Sequence, residues 1–187
     1  MVRFLVRSDQ HLSPSVQQLT NHVTGHMSSI YENNANDFGP GKVLDGDTGS
    51  KAVTLQEAAP WIAVEYPGPT EVSKVEIINA PGGDGQRTKD CEVRLVDDLT
   101  GIQGSAMFTG GTLLGSWAGP GSGGETFTIN PPGRGVFATG KFVLFQCATG
   151  DHLNVMEIKV FAGDTMLCVL ILCLNMISRC ILRGQNL

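Results

Sequence analysis

A chain of 187 residues with 41% hydrophobic content is long enough for one domain with appendages and rich enough for a core. Only 17% of residues are charged, the formal net charge is −5, and no cluster of Lys and Arg occurs, which excludes a nucleic-acid partner from the reading. The 24 glycines and 9 prolines instead supply the many turns of an all-β protein.

Residues 1–23 are polar and weakly patterned, and read as a lead-in with a short helix expected around residues 15–20. Residues 1–7 (MVRFLVR) lack the unbroken apolar stretch of a secretory signal, and there is no Asn-x-Ser/Thr sequon, so the compartment stays open. From residue 24 short apolar runs alternate with turn residues. Residues 61–66 (WIAVEY) alternate with period two until Pro67, Gly68 and Pro69 break the run. Residues 72–79 (VSKVEIIN) end at Pro81, and residues 91–96 (CEVRLV) stop at Asp97 and Asp98. Residues 101–124 form a glycine-rich irregular stretch with one short strand at 112–117 (TLLGSW). Residues 125–129 (ETFTI), 141–146 (KFVLFQ) and 155–161 (VMEIKVF) complete the set. No helical period separates these strands. The pattern predicts an all-β, two-sheet antiparallel sandwich.

Residues 163–187 form a separate tail. Its run 166–177 (MLCVLILCLNMI) contains one polar residue, Asn175, and falls short of the roughly 20 residues of a membrane span. Three readings stay open: a segment packed on the domain or a partner, a membrane-associated segment over 166–182, and an appendage without function. Of five cysteines, Cys91 and Cys147 lie in the globular part and Cys168, Cys173 and Cys180 in the tail. None pairs with His11, His22, His26 or His152 at zinc-ligand spacing. Cys91 and Cys147 are either a disulfide or two buried thiols.

Two places carry chemistry. Asp45, Gly46 and Asp47 put two carboxylates on a tight turn, a calcium-like arrangement. The polar loop 79–90 between two strands offers Asp84, Arg87 and Lys89 as ligand contacts, joined by Tyr31 and His152. Trp61 opens a buried strand and reads as core; Trp117, beside the glycine-rich stretch, is open between core and sugar platform. No Ser or Cys is paired with an oriented His, Asp84, Asp97 and Asp98 sit in turns, and the glycines at 82, 83 and 85 precede no Lys-Ser/Thr. An enzyme is not expected.

Three ordered blocks resemble a known family. They are residues 27–31 (MSSIY) with 42–47 (KVLDGD), residues 60–66 (PWIAVEY) with 72–79, and residues 141–144 (KFVL) with 153–161 (LNVMEIKVF). Together they are similar to the discoidin, or coagulation factor 5/8 type C, superfamily of galactose-binding-like domains, and to F-type lectins within it. The resemblance implies an antiparallel, jelly-roll-like β-sandwich of about eight strands over residues 24–162, whose loops at one end hold a ligand. It implies non-catalytic recognition of a glycan or glycoprotein, at the cell surface or outside it. It also implies a structural Ca2+ held by the side chains of Asp45 and Glu157 with backbone oxygens of Lys42, Asp47 and Met156. Arg87 falls at the second arginine of the fucose-binding pattern. The first reads Ala80, the aspartate after it reads Gly82, and no histidine lies between Asp45 and Trp61. Intracellular members of the superfamily imply the alternative, a protein–protein scaffold.

Overall fold

A computed structural model describes residues 16–20, 23–130 and 138–163, which form one unit, Val16–Gly163. The expectations for residues 1–15 and for the tail, its apolar run included, lie outside the described residues. Among the described residues no helix is long and apolar enough to cross a membrane.

The described residues build two antiparallel sheets. The strands are β1 (Val16–Gln18), β2 (Thr24–Met27), β3 (Ala52–Val53), β4 (Trp61–Glu71), β5 (Lys74–Asn79), β6 (Cys91–Val96), β7 (Thr112–Trp117), β8 (Thr126–Ile129), β9 (Thr139–Cys147) and β10 (Asn154–Gly163). One sheet runs β1-β10-β5-β8, with β3 also paired to β10; the other runs β2-β4-β9-β6-β7. The expected sandwich is present, with two more strands than the anticipated eight or so. The surplus is in short edge pieces too brief to show a period. Residues 16–18, expected in a lead-in with a short helix, are one of these: Val16 pairs with Gly163 and Gln18 with Phe161, satisfying a free edge of β10.

Period-two patterning explains the core. In β5, Val75 and Ile77 face inward, and in β6 Cys91, Val93 and Leu95 do the same. Together with Ile62, Val64, Val143 and Phe145 they fill the space between the sheets. The central strands β4 and β9 are buried on both faces, because their outer residues Trp61, Ala63, Phe142 and Leu144 lie under Leu99 and, from the glycine-rich stretch, Ile102 and Phe108. Gln146 pins that cover: its amide nitrogen donates to the carbonyls of Ala59, Gln103 and Ala106, and its oxygen accepts from Phe108 N at 2.8 Å.

Pro67, Gly68 and Pro69 do not end β4 as the sequence suggested. Pairing with β9 skips from Glu65↔Phe142 to Thr70↔Gly140, so the prolines, which have no N–H to donate, bulge out while the strand resumes. Cys91 and Cys147 face each other across β6 and β9 and form a disulfide.

Candidate functional site

Strand pairing decides which loops meet. Val155 pairs with Asn79 and Asn154 with Val53, so β5 and β3 end where β10 begins. The 3-10 helix Gly82–Arg87 and residues 148–153 therefore share one end of the first sheet with the helical stretch 31–38. Asn79, 1% exposed, anchors the turn that follows it. Its Nδ2 donates to the carbonyls of Gly85 at 2.9 Å and Ser122 at 3.0 Å, and its Oδ1 accepts from Thr88 Oγ1 at 2.8 Å. Gly85 is required there: a Cβ would lie 2.6 Å from the Ala80 carbonyl oxygen.

These loops enclose a cleft of about 350 Å³ into which Tyr31, Asp84, Arg87 and His152 converge. Four of the five expected ligand residues thus share one surface. Lys89 does not line it; it lies past the 3-10 helix and is exposed. Tyr31 stands edge-on to both Phe38 and His152, each at 5.3 Å between ring centres. His152 Nδ1 is 2.7 Å from the Thr54 carbonyl oxygen, a contact that places the proton on Nδ1 and leaves Nε2 for a ligand.

Charge in the cleft alternates. Asp84 Oδ2 accepts from Lys51 Nζ, Asp84 Oδ1 is 3.6 Å from an Arg87 nitrogen, and Arg87 Nε is 3.7 Å from Asp151 Oδ2. The hydrogen bond from Lys51 outweighs partial burial and, with the charges of Lys51, Arg87 and His152, holds the Asp84 carboxyl below its ordinary value. Sequence reading missed Lys51, Phe38 and Asp151. Lys51 is 33 positions from Asp84, and nothing local marks it.

The second neighbourhood contains Asp45 and Glu157. Asp45 Oδ1 accepts from Asp47 N at 2.9 Å and Oδ2 from Ser50 Oγ at 2.7 Å, while Lys42 Nζ is 3.8 Å away. Gly46, at φ +74°, lets the turn close. The Asp47 side chain accepts from Gly49 N at 2.8 Å and its backbone oxygen accepts from Ser50 N at 3.1 Å and Ser50 Oγ at 3.2 Å, so both are engaged within the turn. Met156 is the extra residue of a bulge where β10 slips against β5. That bulge resets the phase between Val155 and Ile158, both core residues, and leaves Glu157 outside the core but 3% exposed. Glu157 lies within electrostatic reach of the Gly46 backbone and the Asp45 carboxyl, so the two acids meet although far apart in sequence. Both line a cavity of about 330 Å³ with Gly46 and Ile158.

Burial pushes the Glu157 carboxyl up, Asp45 pushes it further, and its Oε1 is buried with no hydrogen-bond partner. Hydrogen bonds from Asp47 N and Ser50 Oγ, together with the Lys42 charge, hold Asp45 below its ordinary value in spite of the opposing desolvation. Among the described residues no group of three or more His, Cys, Asp or Glu is poised around a metal. Two carboxylates with an orphaned oxygen beside a glycine-bearing turn nevertheless fit a hard cation that completes its shell with carbonyls and water. Neither tryptophan serves as an open platform. Trp61 is buried under the glycine-rich cover, and Trp117 stacks on Phe127 at 4.2 Å and Phe145 at 5.3 Å.

No family model matches the sequence, and no curated protein does. Solved structures do match. A fucolectin from striped bass serum aligns with a TM-score of 0.65 and 19% identity over 79% of this chain, which spans about half (49%) of that protein. A CBM32 domain from Clostridium perfringens, in complex with GalNAc-β-1,3-galactose, gives 0.61 at 15% identity over 78% of this chain and 100% of its own. The F5/8 type C domain of a Bacteroides fragilis protein gives 0.60 at 12% identity over 79% of this chain and 97% of its own. At such identities the likeness speaks for architecture, and the described residues have the galactose-binding-like discoidin fold.

Proposed function

We propose that this domain is a non-catalytic carbohydrate- or glycoconjugate-binding module, stabilised by a calcium ion held by Asp45 and Glu157 with backbone oxygens of Lys42, Asp47 and Met156. The observation that supports binding is the convergence of Tyr31, Asp84, Arg87 and His152, joined by Lys51, on one cleft. Sugar hydroxyls both donate and accept, so a surface alternating guanidinium, carboxylate, ammonium and imidazole can match several at once. The half-buried rings of Tyr31 and Phe38 supply apolar area for the C–H face of a pyranose. A structure of the same fold holds GalNAc-β-1,3-galactose. The ion would supply charge neutralisation, tying the early turn 45–47 to the last strand.

An extracellular or cell-surface setting goes with this reading, because the Cys91–Cys147 disulfide is of a kind that persists in oxidising compartments. The same bond disfavours the alternative of an intracellular protein scaffold. A glycan array probed with the full chain tests the function: a restricted set of glycans is bound, and Arg87→Ala abolishes the signal. An array on which no saccharide binds would overturn it.

A further inference from the structure

The ion chain across the cleft carries more than binding. Its cations are Lys51 and Arg87; its anions are Asp84 and Asp151. Two of the three contacts, at 3.6 and 3.7 Å, exceed hydrogen-bond length, so Arg87 spends its charge on the acids while keeping N–H groups for other acceptors. Asp84 sits in the middle: one oxygen takes the Lys51 ammonium and the other faces Arg87. The surface therefore offers directional donors and acceptors with no surplus charge.

We propose that Asp84 is the specificity-determining residue of the cleft: held between Lys51 and Arg87, its carboxylate cancels their pull on anions, so that neutral saccharides are accepted and acidic ones refused. The proposal rests on the carbohydrate-binding reading and extends it to a choice among sugars. A uronate brought to Arg87 must approach the Asp84 carboxylate as well, and like charges a few ångströms apart repel. Exclusion of this kind acts through a repulsive element, which is how discrimination between near-identical ligands is commonly built. Removing that element does more than weaken binding; it changes which ligand is preferred. Asp84→Asn keeps the shape and leaves Lys51, Arg87 and Asp151 with one net positive charge.

Isothermal titration of the full chain with matched pairs tests this: galactose against galacturonate, glucose against glucuronate, mannose against mannuronate. Each pair shares a ring and differs at C6 alone. At about pH 8, above the ordinary histidine range, the wild type is expected to bind the neutral member of at least one pair about tenfold or more tightly than its uronate. Asp84→Asn shifts that ratio at least tenfold toward the uronate, and raising salt erodes the shift, as screening demands. Asp151→Asn, on the other side of Arg87, shifts it in the same direction. The double variant Lys51→Met with Asp84→Asn, back at zero net charge, regains the neutral preference. A wild type that binds uronates as well as neutral partners overturns the proposal, and so does a ratio unmoved in Asp84→Asn, whatever Asp151→Asn does. Absence of any saccharide binding by the wild type would instead remove the carbohydrate reading beneath it.

Discussion

Asn79 shows how one side chain positions a site without touching a ligand. All four hydrogen-bonding positions of its amide are engaged: Nδ2 donates to the carbonyls of Gly85 and Ser122, and Oδ1 accepts from Ala80 N and Thr88 Oγ1. Asn79→Ala strands these buried partners at a cost of about 2–4 kcal/mol, and the turn bearing Asp84 and Arg87 loses its anchor. Urea denaturation should show the loss, and sugar affinity should fall with it. Glu157 makes a pH-dependent prediction. Its folded carboxyl titrates above the ordinary glutamate value, so the folded state holds that proton more tightly than the unfolded chain. The resulting cost is absent below the ordinary range and appears as pH rises through the raised folded value. Metal-free Glu157→Gln is therefore expected to melt above the wild type at about pH 7–8, with the gap closing near about pH 4. Calcium should lift the wild type and leave the variant unmoved; scanning calorimetry with and without chelator reads both. The pairing of Asp45 with Glu157 was legible through family resemblance, and Arg87 and Asp84 through loop composition. Lys51 was not, because its role comes from a contact made only once distant loops are folded together.

Strands with clear alternation were legible as strands: β5 and β6 need only their period and the turn residues that bound them. Short pieces were not. β1 and β3 owe their conformation to an available edge of β10 and have too few residues to carry a pattern. Pro67 and Pro69 misled for a related reason, since proline forbids a ladder bond at its own position but leaves the strand free to re-pair beyond a bulge. The Cys91–Cys147 bond joins the start of β6 to the end of β9, and each strand end opens into a loop of the cleft: 82–90 precedes Cys91, and 148–153 follows Cys147. It closes a span of 56 residues, for which chain-entropy reasoning gives about 4 kcal/mol. The double replacement Cys91→Ala with Cys147→Ala should lose stability of that order in denaturant, with ligand affinity reduced as both loops gain freedom.

At the level of the molecule, the two sheets share one core, while a second apolar layer covers the outer face of the β4–β9 pair. The architecture followed from the sequence because patterning, turns and family blocks agreed. The cover did not, because residues 97–111 have no period and are held by Gln146, a single amide on a strand that reads as apolar. The ligand end and the carboxylate pair both draw on the first half of β10, so one strand organises both neighbourhoods. The placement of the two tryptophans has a spectroscopic consequence. Trp117 bridges the sheets through Phe127 on β8 and Phe145 on β9, Trp61 lies beneath the outer cover, and neither borders the cleft. Tryptophan-selective emission is thus a gauge of inter-sheet closure, set apart from direct quenching of Tyr31 by a bound sugar, and a change in it on titration is expected only where occupancy alters the seam.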